Sequence, residues 1–190
     1  MSEIVSKIKE DVINRSIEHE KKTGYNYFEN HIKYVVKNAV ELAKRYGADV
    51  EVVELGALLH DIAAVSDYGP IEEHNVYGEK LADELLSKLN YYENKKELVK
   101  KCVLNHRSST KLNRNTLEEK CVADADVIAH FDRIPDLFSL AYKDRGMTIE
   151  EGALYVKGKL ERDYNKLSDE TKILLKERFK NIMKSLFPEL

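Results

Sequence analysis

Apolar positions along the chain recur at helical intervals and almost nowhere in alternation. In residues 3–22, Ile4, Ile8 and Val12, then Ile13 and Ile17, stand four apart, which draws one apolar stripe along an otherwise charged helix. The stretch HIKYVVKNAVELAKRYG keeps this period from His31, and Gly47 stands where a helix C-cap is expected. Asp49 can cap the next helix, which carries VVELGALLHDIAAVSDYG. After a break at SDYGP, residues 71–89 set Leu81, Leu85, Leu86 and Leu89 on one side, and a lysine-rich helix follows over about 94–106. NTLE at 115–118 and TIEE at 148–151 both match the capping-box pattern and open helices of about 116–132 and 149–166. Pro135 suits the first turn of a short helix, and SDETKILLKERFKNIMKSLF forms the last. These segments predict an all-α fold, a compact bundle of about seven to nine helices with short connections and no convincing strand.

Composition narrows the class further. At 190 residues the chain fits a single domain, 1–190, with enough length to bury a substantial core. Its 31 basic and 34 acidic residues nearly cancel, so no global field draws it to a nucleic-acid polymer or an anionic membrane. An anionic substrate must therefore be gripped locally. Cys102 and Cys121 lie 19 positions apart in apolar helical contexts, which reads as two buried free thiols in a reducing compartment. The charged N-terminus lacks the apolar centre of a signal peptide, and no run approaches a membrane span, so a cytoplasmic protein is expected.

Against this background ALLHDIAAV is anomalous, because an apolar run places His60 and Asp61 side by side. A hydrogen-bonded core pair is the bland account. Little water reaches such a segment, however, and an unpaired buried carboxylate costs several kcal/mol. A bound cation offsets that cost directly. Adjacent helical residues project about 100° apart, so both groups could straddle one ion near a helix end. The remaining histidines, 19, 31, 74, 106 and 130, are spread over different helices, and sequence spacing alone does not say which converge.

The order of these residues resembles that of the HD-domain metal-dependent phosphohydrolases, whose signature is a histidine opening one helix, a His-Asp pair in the next and an aspartate in a later one. His31 in NHIKYVVKNAVELAKRYG, His60 and Asp61 in ALLHDIA, and Asp126 in CVADADVIAHFD match those positions over about residues 25–135, leaving 136–190 as a helical extension. Asp124 competes with Asp126 for the last position, and the family's pattern favours Asp126. His74 in EEHNVYGEK and His106 in LNHRSS resemble the additional histidines of members that hold a second metal; a loop histidine and a helix-terminal histidine are their ordinary readings. The resemblance implies metal ligands His31, His60, Asp61 and Asp126, joined by His74 and His106 if the site holds two ions, with Asp61 able to bridge them. His19 is expected to be a solvated surface residue, and His130 to serve core or interface packing.

Ligands of nitrogen and oxygen without thiolate suit Mn, Fe, Co, Ni, Mg or Zn. The resemblance thus implies a divalent-metal phosphohydrolase acting on a small phosphorylated substrate, a nucleotide or related ester, with Asp61, His106 and Arg107 as catalytic residues. Lys33, Arg133 and the run Lys157, Lys159 and Arg162 are further candidates to hold anionic groups, solvated charge being the alternative for each. IAAVSD lacks the acidic pair that follows the dyad in alarmone hydrolases, and the GYP segment of cyclic-dinucleotide phosphodiesterases is absent. Two other readings stand beside the enzyme: a metal-containing nucleotide-binding or regulatory module with little turnover, and a structural helical protein with satisfied core histidines. A homodimer is compatible with all three.

Overall fold

A computed structural model describes residues 2–107 and 113–188. The described residues form an all-α fold with no strand, as the hydrophobic period predicts. The chain divides into two compact units, residues 1–126 and 127–190.

In the first unit, α1 (Glu3–Thr23) starts where the Ser2 side chain accepts the Val5 N–H and ends at Gly24, whose φ of 77° lies in the left-handed region. Val5, Ile8 and Val12 are its buried stripe. Helix α2 (Lys33–Tyr46) is entered through a π-helical turn, Phe28–Ile32, in which the Lys33 N–H reaches back to the Phe28 carbonyl. Gly47 closes it at φ 78°, as the sequence predicts. The Asp49 carboxylate then accepts from the Glu51 and Val52 N–H groups and starts α3 (Val50–Leu59).

Helix α3 is buried on nearly all sides, packing against α1, α2 and α6. This explains why its sequence is apolar all round rather than striped. Gly56 is where the neighbours come closest: a Cβ there would lie 2.8 Å from Cys102 Cβ and 3.1 Å from a Val122 methyl. Residues 50–65, read from the sequence as part of one helix, instead form α3 and a single turn, α4 (Ile62–Val65). The helix is interrupted at Asp61, whose φ of −106° and ψ of 16° are not helical. A short 3-10 turn, Ile71–Glu73, leads to α5 (His74–Lys88), which packs on α4 and α6 (Glu93–Asn105). Helix α7 (Leu117–Asp132) begins in this unit and contributes Cys121, Val122, Ala123 and Ala125 to its buried residues. Both cysteines are free and buried, as expected.

The second unit takes the end of α7 and adds α8 (Ile134–Ser139), a π-helical turn Leu140–Asp144, α9 (Ile149–Lys166) and α10 (Asp169–Leu186). Pro135 lies in the first turn of α8, and Thr148 with Glu151 forms the reciprocal capping box predicted for α9. Val156 and Leu160 of α9 are fully buried, and Tyr164 stacks on Phe179 with ring centroids 4.1 Å apart.

Candidate metal centre

All six histidine and aspartate side chains expected as ligands belong to the first unit and come from separate local structures. His31 projects from the π-helical turn ahead of α2, His60 follows the last residue of α3, and Asp61 stands between α3 and α4. His74 opens α5, His106 follows α6, and Asp126 lies on α7. Five of these six positions are at helix ends or in an irregular turn. There the backbone can leave the helical path and turn side chains toward one point.

Asp61 stands at the centre. Its Oδ2 is 3.3 Å from His60 Nε2 and 3.6 Å from His31 Nε2, while its Oδ1 is 3.3 Å from His74 Nε2 and 3.6 Å from His106 Nε2. On the Oδ2 side, His31 Nε2 lies 3.1 Å from both His60 Nε2 and Asp126 Oδ1. On the Oδ1 side, His74 Nε2 and His106 Nε2 are 3.1 Å apart. Among the described residues, His31, His60 and Asp126 form one group that could hold a metal ion, and Asp61, His74 and His106 form another.

The tautomers implied by the surrounding carbonyls test whether this donor set fits a cation. The Nδ1 atoms of His60, His74 and His106 lie 2.8, 2.7 and 2.6 Å from the carbonyls of Ala57, Ile71 and Val103. Each Nδ1 therefore carries a proton, which leaves Nε2 as the atom through which each ring can give its lone pair to a cation in the cluster. Two lone pairs facing each other at 3.1 Å, as on His74 and His106, repel unless a proton or a metal ion lies between them. With two carboxylates added, the set suits a hard or borderline divalent ion. The residues present fit the metal that the resemblance implies.

Without metal the same crowding perturbs the titrations. Burial works against a charged His60, but the adjacent Asp61 and Asp126 carboxylates outweigh it and hold the imidazole up to about 9. Burial likewise opposes the charged forms of Asp61 and His74. Contacts with His60, His74 and His31 nonetheless hold Asp61 well below the usual carboxylate range, and Asp61 keeps His74 above its ordinary value. His106 goes the other way: burial, and then the neighbouring His60 charge, push it down to about 4. A cluster that retains protons at neutral pH can exchange them for a cation.

The other candidates divide by location. Asp124 is buried but lies outside both groups, whereas Asp126 joins His31 and His60. The Arg107 guanidinium donates to the Glu72 carbonyl, and its charge is felt at His74. Lys33 is paired with Glu29 at 2.6 Å across one turn. In the second unit Arg133 forms a two-pronged pair with Asp136, Lys157 is 3.9 Å from Glu161, and Lys159 is 3.0 Å from Asp163. His19, expected in solvent, is instead buried: its Nδ1 lies 3.2 Å from Asp67 Oδ1 and its ring meets Tyr27 edge-on. The reason is that the apolar stripe of α1 continues past Val12 through Ser16 and His19, which are buried with it. His130 lies 3.0 Å from the buried Asp163 carboxylate.

Sequence reasoning passed over two residues beside the cluster, Glu119 and Arg114. Glu119 is buried between α6 and α7, and Arg114 bonds the carbonyls at the end of α6. Nothing in the polar stretch KLNRNTLEEK separates a buried Arg114 from a solvated one. Glu119, by contrast, completes a capping box with Thr116, one residue on from the NTLE box expected at 115–118, because Thr116 rather than Asn115 caps α7.

Two solved structures share the fold. A predicted HD superfamily hydrolase from an uncultured Thermotogales bacterium is 23% identical over 78% of this chain and 83% of its own, with a TM-score of 0.54. YpgQ of Bacillus subtilis, solved in complex with ADP, is 19% identical over 97% of this chain and 98% of its own, with a TM-score of 0.66. No curated protein matches the sequence. The family model described as HD domain matches residues 28–130, which include all six clustered side chains and more than half of the sequence, and the chain belongs to the HD-domain family.

Proposed function

We propose that this chain is a metal-dependent phosphohydrolase whose site holds two divalent ions, with Asp61 between them. The observation that carries the reading is the division of the Asp61 carboxylate, one oxygen facing His31 and His60 and the other facing His74 and His106. A carboxylate so placed would hold an ion together with either group of donors, His31, His60 and Asp126 on one side and His74 and His106 on the other. When bound, the ions supply Lewis acidity toward a phosphoryl oxygen and toward water.

The chain's own groups supply the rest. His31, His60 and Asp126 on one side and His74 and His106 on the other are the ligands, held by the carbonyl bonds at Nδ1 that fix three of the rings. Neutral at physiological pH, His106 takes part as a nitrogen donor. Asp61, with an oxygen on each side of the site, is the residue that would orient the attacking water. Arg107, beside His106 in sequence and close enough to act on the His74 charge, is the cation we assign to the substrate's phosphate oxygens, exchanging its contact with the Glu72 carbonyl for them.

A nucleotide is the substrate class we favour, supported by the ADP bound to the Bacillus subtilis relative of the same fold. The two free buried thiols suit a reducing cytoplasm. A screen of nucleoside mono-, di- and triphosphates and generic phosphate esters with Mn²⁺ tests the assignment. The expected result is turnover of at least one nucleotide that falls on the order of a thousandfold in Asp61→Asn, the scale of several kcal/mol of lost transition-state stabilisation. Turnover that survives Asp61→Asn overturns the site. Tight nucleotide binding with no turnover selects the regulatory module instead.

A further inference from the structure

His106 is one of the most buried side chains of the cluster, yet it stands one residue beyond the last turn of α6. Helical hydrogen bonding no longer dictates the backbone at that point, and the last carbonyls of a helix lack partners within it. Something else must hold the ring in place. The structure places two devices there.

Glu119, fully buried on the first turn of α7, is the first. One carboxylate oxygen accepts the Asn115 and Thr116 N–H groups at 3.1 and 2.9 Å, while the Glu119 N–H returns a bond to Thr116 Oγ1 at 3.2 Å. The capping box of α7 is thereby complete using a single carboxylate oxygen. The other oxygen accepts from the Asn105 side-chain amide, on the last residue of α6 and immediately before His106. A cap needs no such second bond. Its effect is to tie the end of α6 to the start of α7, the helix that carries Asp126.

Arg114 is the second device. Its Nε donates to the Asn105 carbonyl at 3.0 Å, and its Nη2 reaches the His106 and Arg107 carbonyls at 3.4 and 3.2 Å. One guanidinium thus serves three consecutive carbonyls at the helix end, in the place a C-capping glycine would fill. With the side chain of Asn105 tied to Glu119 and its carbonyl to Arg114, the backbone leading into His106 is fixed from two directions.

We propose that the Asn105–Glu119 bond is a clamp that positions His106 for the Asp61, His74 and His106 side of the site. Asn105 and Glu119 are positioning residues: neither belongs to the ligand groups, and they act through His106. The proposal rests on the two-ion reading for its metal arm only, since the position of the ring is measurable without metal.

The test compares the wild-type chain with Asn105→Ala, which removes the clamp and leaves the α7 capping box intact. In the metal-free protein, exchange of the His106 Nδ1–H, read from imidazole ¹H–¹⁵N spectra, should speed up at least about tenfold while that of His60 stays unchanged. Titration with Mn²⁺ should then show one of the two binding steps weakened by roughly 10–100-fold, the usual effect of removing a hydrogen-bond partner behind a ligand, with the other step unaltered. Glu119→Gln, which keeps the shape and loses one acceptor oxygen, should move both readouts in the same direction. Unchanged His106 exchange in folded Asn105→Ala overturns the clamp, as does equal weakening of both metal steps. Should the wild type bind no Mn²⁺, the function proposed above fails, and the ring-exchange arm still decides the clamp.

Discussion

His60 and Asp61 are adjacent in the chain and meet at 3.3 Å in space because the backbone leaves the helical path between them. A continuous helix would turn the two side chains about 100° apart. That break keeps His60 on the buried end of α3, its Nδ1 held by Ala57, while Asp61 turns both oxygens toward histidines. The identity of these residues was legible in ALLHDIA, but the break that aims them was not, since no glycine or proline marks it. His19 failed for a related reason. Its charged neighbours read as a solvated face, whereas its own position continues the Val5, Ile8 and Val12 stripe. At this scale Asp163 offers a prediction independent of metal. Burial opposes its ionised form, but the His130 hydrogen bond, aided by Lys159, holds its carboxyl below the ordinary value. A carboxyl lowered on folding contributes stability that is present above its unfolded pKa of 3.8 and lost as the pH falls through the folded value. Asp163→Asn should therefore cost about 1–3 kcal/mol at pH 7 in urea unfolding. The difference should shrink below pH 3.8. An equal cost at both pH values would mean that the charge on Asp163 contributes nothing.

Helices were the most legible level of the molecule. Caps at Gly47, Asp49 and Thr148 stand where the sequence places them, because each acts on its own helix end through a local bond. The two π-helical turns escaped notice, since they carry no residue signature and arise from how flanking helices are held. One of them, Phe28–Ile32, carries His31. Elements also explain why α3 tolerates little change. Its Gly56 faces Cys102 of α6 and Val122 of α7 at once, so a methyl group there has nowhere to go. Gly56→Ala removes a flexible residue from a helix, which by propensity alone would stabilise by about 1 kcal/mol. The 2.8 Å approach to Cys102 Cβ reverses that sign, and a net loss of about 1–3 kcal/mol is expected from overpacking. Denaturant midpoints across a double-mutant cycle with Cys102→Gly check the cause, because Gly56→Ala should cost less in the Cys102→Gly background than in the wild type if the clash is what destabilises.

Across the whole molecule, the six clustered donors are drawn from positions 31 to 126, and all fall in the first unit. This long spread is why the order of the residues could suggest the site while only the fold could show the two groups and the carboxylate between them. Among the described residues, no helix is long and apolar enough to cross a membrane. The arrangement of donors is the centre of the account, and anomalous diffraction at the manganese edge, from crystals grown in saturating Mn²⁺, tests it most directly. Two peaks are predicted, one at His31, His60 and Asp126 and the other at His74 and His106, each within about 2–2.3 Å of its ligand atoms and both bonded to Asp61. No peak among these side chains, or a single peak that leaves one group of histidines unbound, would contradict it.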